Sequence, residues 1–119
     1  MPRRASVLIV DDDVRVLSVA ASILRRSGFD VVCASTPDEA LGLIAYHPHI
    51  GVAIVDIVLP DMTGFDLARE LRRVAPPTRV VYMSGFHSDH LRHPVDDLIL
   101  PKPFTVDALV ATVSAALAN

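Results

Sequence analysis

The sequence predicts an α/β protein in which a parallel sheet is covered by helices on both faces. Two observations carry this. Short apolar runs alternate with helical patterns along the chain, and alternation of that kind builds a parallel sheet through right-handed crossovers. The third run, Val52 to Val55, is apolar at every position, as a strand covered on both faces must be.

The elements follow in order. Val7-Leu8-Ile9-Val10 is the first strand, followed by a helix from about Val14 to Ser27 that Gly28 stops. Asp30 to Ala34 is the second strand. Thr36-Pro37-Asp38-Glu39 reads as a capping box with proline at the first helical position, opening a helix to about Tyr46. Val52 to Val55 is the third strand, Phe65 to Val74 a helix, and Arg79 to Met83 the fourth strand. His87 to His93 has room for a turn or two of helix, and Leu98 to Leu100 is the fifth strand. Thr105 then caps a last helix carrying Leu109, Val110, Val113 and Leu117 on one face, with Phe104 placed to staple against Leu109.

Composition narrows the class. The 119 residues make one domain, long enough to bury roughly two thirds of the unfolded chain's surface. With 51% apolar and 21% charged residues the chain is globular, and a net charge of −3 gives no electrostatic case for binding nucleic acid. No apolar run approaches the roughly 20 residues of a membrane span, and the apolar stretch after MPRR is too short for a signal peptide. A single cysteine, Cys33, forms no internal disulfide, so a reducing cytoplasm is expected. Cys33 itself reads as a buried strand residue.

In sheets of this kind binding sites lie beyond the carboxyl ends of the strands. Strand one ends in Asp11-Asp12-Asp13, strand three in Asp56, strand four in Ser84-Gly85, and strand five in Pro101-Lys102-Pro103. Any one of these aspartates alone is an ordinary helix cap or loop residue. Converging on one rim, they repel one another unless a cation sits among them. Carboxylate oxygens with room for water and phosphate oxygens suit Mg2+. Lys102, the only lysine in the chain, adds a movable positive charge, and Ser84 adds a hydroxyl. The set describes a site for a divalent metal and a phosphoryl group, with Asp56 as the candidate nucleophile.

From near Val7 onward the sequence resembles the receiver domain of two-component response regulators. The matching residues are Asp11-Asp12 after LIV, Asp56 in DIVLPDMTG with Pro60 and Gly64, Ser84 in YMSG, and Lys102-Pro103 in KPF. The resemblance implies one receiver domain over residues 1–119, with a core of about 6–118 and the flavodoxin-like strand order 2-1-3-4-5. It implies that Asp56 accepts a phosphoryl group from a histidine kinase or a histidine phosphotransfer protein. Mg2+ or Mn2+ would be held by Asp11, Asp12, Asp56 and the backbone carbonyl of Val58. Ser84 and Lys102 would contact the phosphoryl oxygens, and the Lys102–Pro103 bond would be cis. Asp13 reads as a helix-start residue rather than a further ligand.

The sequence departs from the family pattern in three places. Ile99 stands where a tyrosine or phenylalanine is usual. The segment between Ser84 and Lys102 is about one helical turn shorter than the common pattern and holds Pro94, so the fourth helix is expected to be short or irregular. This is similar to receiver domains at the C-termini of hybrid histidine kinases. The last helix carries only Asp107 as a charge, so the family's phosphorylation-driven dimer is not expected. Val58 and Phe86, two residues beyond Asp56 and Ser84, are expected to hinder an attacking water and lengthen the life of phosphoryl-Asp56.

Further residues invite two readings each. On the first helix Val16, Val19, Ala20, Ile23 and Leu24 are expected to form the buried face. Val14, Leu17 and Ala21 then form a second stripe, either scattered surface or a docking patch for a helical phosphodonor. His87, His90 and His93 are solvated histidines or, less simply, metal ligands. Two alternatives to the phosphoacceptor reading stand beside it: a phosphorylation-independent interaction module, and a small phosphatase with an aspartyl nucleophile. The phosphatase lacks a second aspartate two residues beyond Asp56 and room for a substrate cap.

Overall fold

A computed structural model describes residues 5–85 and 98–118. Five strands, β1 (Ser6–Val10), β2 (Asp30–Ala34), β3 (Ile50–Asp56), β4 (Arg79–Ser84) and β5 (Leu98–Pro101), form one parallel sheet. Their order is β2-β1-β3-β4-β5, the flavodoxin-like arrangement. Four helices are described: α1 (Val14–Arg26), α2 (Pro37–Tyr46), α3 (Gly64–Val74) and α4 (Val106–Ala118). The helix predicted between β4 and β5, with Phe86, Pro94 and the three histidines His87, His90 and His93, lies outside the described residues.

The sheet divides the core in two, and β1 shows why its apolar run is unbroken. Val7 and Ile9 face one layer, with Leu17, Leu24, Leu109 and Val113 of α1 and α4. Leu8 and Val10 face the other, with Ile44, Leu67 and Leu71 of α2 and α3. These four residues are fully buried, so both parities of the strand must be apolar.

Local chemistry sets the helix ends. Asp13 caps α1, accepting from Arg15 N at 2.9 Å, and Gly28 leaves the helix at φ +97, where a side chain would be strained. Thr36 caps α2 by accepting from Glu39 N at 3.1 Å. The returning Glu39 carboxylate reaches one residue further back than the predicted box, to Ser35 N at 2.8 Å and Ser35 Oγ at 2.7 Å. Thr63 and Thr105 cap α3 and α4 in the same way, accepting from Asp66 N and Ala108 N. Phe104 packs, partly buried, against the cluster that contains Leu109.

Three expectations are corrected. In α4 the third buried position is Ala116, while Leu117 is 37% exposed. Cys33 is only partly buried, because β2 is an edge strand; burial still pushes its thiol pKa up. In α1 the buried residues are Leu17, Ala20, Ala21 and Leu24. Leu17 and Ala21 are therefore core, and do not form the docking stripe drawn through them and Val14. Val19, expected in the core, is 54% exposed. Apolar residues cover most of the helix circumference, so spacing alone left its rotation open. Val14 and Val19 lie about 140° apart around the axis and edge the polar arc on opposite sides.

Candidate functional site

The four strand ends converge as the parallel order requires. The cation at their centre is Lys102. Its Nζ donates to Asp11 Oδ2 at 2.6 Å and to Asp56 Oδ2 at 3.2 Å, joining the carboxyl ends of β1, β3 and β5. Asp11 is fully buried, and its other oxygen accepts from Asp13 N at 2.9 Å. Asp56 is 6% exposed, and its Oδ1 accepts from Val58 N at 3.2 Å. Lys102 is aimed by its backbone as well as its stem. Its N–H donates to Ser84 O at 2.9 Å, extending the β4–β5 ladder past Pro101, and the Lys102–Pro103 peptide is cis.

Electrostatics follow from two carboxylates sharing one ammonium. Burial and the neighbouring Asp11 charge push the Asp56 pKa up, outweighing the attraction of Lys102. Burial also works against the Lys102 ammonium. Its hydrogen bond to Asp11 and the charges of both carboxylates outweigh that, so its pKa lies above the ordinary lysine value. Asp13 behaves differently: hydrogen bonding to Arg15 lowers its pKa, as befits an exposed cap. Asp12 is exposed beside the pair, and Asp11, Asp12 and Asp56 each offer an oxygen within 4.8 Å of the others.

The loop after Asp56 is folded tightly back onto it. Gly64 N donates to Ile57 O at 2.7 Å, and Val58 bridges to Thr63. A Cβ on Gly64 would lie 2.3 Å from the Asp56 carbonyl oxygen, so only glycine lets α3 begin here. Together these elements border a cleft of about 340 Å3 lined by Asp11, Asp12, Asp56 and Lys102, with Asp13, Val58 and Gly85 completing it. Ser84 stands at the end of β4, one residue short of that lining, and it is Gly85 that reaches the cleft.

Beside the cleft lies a second, more apolar groove of about 610 Å3 between α1 and the β5–α4 connection. Val16, Val19, Pro103 and Phe104 line it, and it shares Asp13, Gly85 and Lys102 with the acidic cleft. Val19 and Phe104 were not singled out for this role from the sequence. Phe104 directly follows the Lys102–Pro103 pair, and that adjacency was the available signal.

Comparison with known proteins decides the family. The description "Response regulator receiver domain" matches residues 7–114. The chain belongs to the response regulator receiver domain family. This receiver domain is 32% identical over 118 residues to the sensor kinase CckA of Brucella abortus, covering 95% of this chain and 12% of that protein. It is 32% identical over 124 residues to the response regulator TodT of Pseudomonas putida, covering 98% of this chain and 53% of that one. The receiver domain thus spans about half or less of the length of these relatives. Among solved structures, the receiver domain of the hybrid histidine kinase CckA superposes with a TM-score of 0.82 at 27% identity, covering 95% of this chain and 99% of that one. A receiver domain from Clostridium thermocellum gives 0.86 at 25% identity, covering 96% and 94%. The receiver domain is accordingly a signalling domain of two-component systems rather than a conventional enzyme. No helix among the described residues is long and apolar enough to cross a membrane.

Proposed function

We propose that this receiver domain, residues 6–118 acting as one unit, takes a phosphoryl group from a phosphohistidine onto Asp56. The buried bridge Asp11–Lys102–Asp56 at the rim of the sheet carries the reading. The Asp56 carboxylate lies beside a cation in a cleft of about 340 Å3, room enough for a phosphoryl group and a metal ion. Asp11, Asp12 and Asp56, with the backbone carbonyl of Val58, would hold Mg2+ or Mn2+. Three clustered carboxylate oxygens are the hard donors such ions take, and their mutual repulsion favours a cation there. When bound, the ion offsets charge on the phosphoryl oxygens.

The chain's own residues do the rest. Asp56 forms the new oxygen–phosphorus bond as the donor's nitrogen–phosphorus bond breaks, and the electron pair leaves on the imidazole, which takes up a proton. Lys102 turns its ammonium from the carboxylates toward a phosphoryl oxygen, and Ser84 offers its hydroxyl to another. Val58, 44% exposed at the lip, restricts the approach of water to the product. The donor, a histidine kinase or a histidine phosphotransfer protein in the cytoplasm, would seat on the groove of Val16, Val19 and Phe104, which opens onto the cleft. The domain would catalyse only its own phosphorylation and dephosphorylation.

Incubation with Mg2+ and a small acyl phosphate tests this by mass. A phosphate-sized gain that disappears in Asp56→Asn is the expected result. No gain in the native protein would leave the phosphorylation-independent module, which Ile99 favours by packing an aliphatic side chain against the α2–α3 core layer where the family uses a ring.

A further inference from the structure

β2 lies at the edge of the sheet, paired on one side with β1. In a parallel ladder the residues of a strand turn their backbone groups alternately to either side. Two hydrogen bonds fix the alternation here: Asp30 N donates to Ala5 O, and Asp11 N donates to Ala34 O. Residues 30, 32 and 34 therefore serve β1, while Val31 and Cys33 present their N–H and C=O groups outward. An edge with no charged side chain from Val31 to Ala34 is a template for another strand.

Arg25 sits on that template. From the last turn of α1 its guanidinium donates to the outward carbonyl of Val31 at 3.1 Å. Beside it an open groove of about 500 Å3 runs between α1 and β2, walled by Leu17, Ala21, Arg25, Arg26 and Cys33.

We propose that Arg25 keeps the β2 edge closed to a second copy of this chain, and that without it two copies pair antiparallel through Val31 to Cys33. The second copy fits by symmetry. Centred on Val32, the pairing sets Val31 of one copy opposite Cys33 of the other, and their outward groups form four backbone hydrogen bonds. The same register sets Asp30 opposite Ala34, so no carboxylate faces its own equivalent. Val32 meets Val32, and both half-buried side chains lose water. With Arg25 present the Val31 carbonyl is occupied. The two-fold arrangement also brings α1 of each copy to one face, where Arg25 and Arg26 of the two copies repel.

Sedimentation velocity over a concentration series, in reducing buffer, tests the proposal. The native domain is expected to stay monomeric. Arg25→Ala, which keeps a strong helix former at an exposed site, is expected to self-associate at least about tenfold more tightly. Arg25→Ala with Cys33→Pro is expected to return to monomer, because proline at 33 removes an outward N–H and leaves the bonds to β1 intact. Amide exchange supplies a readout independent of the proline variant: the Val31 and Cys33 amides are protected in the Arg25→Ala dimer and not in the native monomer. A monomeric Arg25→Ala, association without protection at those two amides, or native pairing through this edge would overturn the proposal.

Discussion

Lys102 divides one positive charge between two carboxylates, one of them with no exposed surface. Removing it leaves Asp11 and Asp56 buried and facing each other without a cation. Lys102→Ala is expected to cost about 3 kcal/mol of stability in metal-free buffer, read as a lowered denaturation midpoint. The loss should shrink in an Asp56→Asn background, where only one carboxylate is left uncompensated. An equal loss in both backgrounds would mean that Lys102 stabilises through Asp11 and its stem, with no contribution from Asp56. The importance of this residue was legible because it is the only lysine in the chain and follows a strand directly. Its metal-free partner was less legible. The sequence aligned Lys102 with a phosphoryl group, and the distance to Asp11, 91 positions away, is a product of strand order. Ser84 is a second case: the motif names its hydroxyl, and the end of β4 sets it next to Gly85, which lines the cleft.

At the level of single elements, end signals were read more accurately than helix rotation. The Thr36 cap and Pro37 placed α2 correctly, because capping chemistry is local. The Glu39 carboxylate, hydrogen-bonded first by the Ser35 side chain, has its pKa lowered. A depressed carboxylate contributes stability that is present above its unfolded value and lost as pH falls through the folded one. Glu39→Gln keeps an oxygen acceptor but does not titrate. The native domain should therefore melt higher than Glu39→Gln at neutral pH, and the gap should close as pH drops below the ordinary glutamate range. Melting curves of both proteins from neutral to acid pH check this; a gap unchanged by pH would remove Glu39 from the cap. Rotation of α1, by contrast, depends on what lies beneath it. Its apolar residues fit two faces that share Ala20 and Leu24, and contact with α4 and β1 selects the one containing Leu17 and Ala21.

For the molecule as a whole, the sheet order was legible through the family pattern and the alternation of elements. The two-layer core followed from the unbroken apolar strands. A ligand that binds only the folded arrangement stabilises all of it. Asp12 offers a clean way to read that linkage, because it is exposed while Asp11 and Asp56 are buried. Asp12→Asn is expected to change metal-free stability by less than about 0.5 kcal/mol. It should nevertheless abolish most of the rise in melting temperature that Mg2+ gives the native domain. A full Mg2+ response in Asp12→Asn would take this residue out of the ligand set.

The opposite placement of Val14 and Val19 gives α1 two working flanks. Val19 borders the groove that opens onto the acidic cleft, and Val14 borders the groove that runs along the sheet edge. A visitor on one flank leaves the other uncovered. Access to the phosphoacceptor and closure of the sheet edge are thus held on opposite flanks of one helix, and each flank can change sequence without disturbing the other.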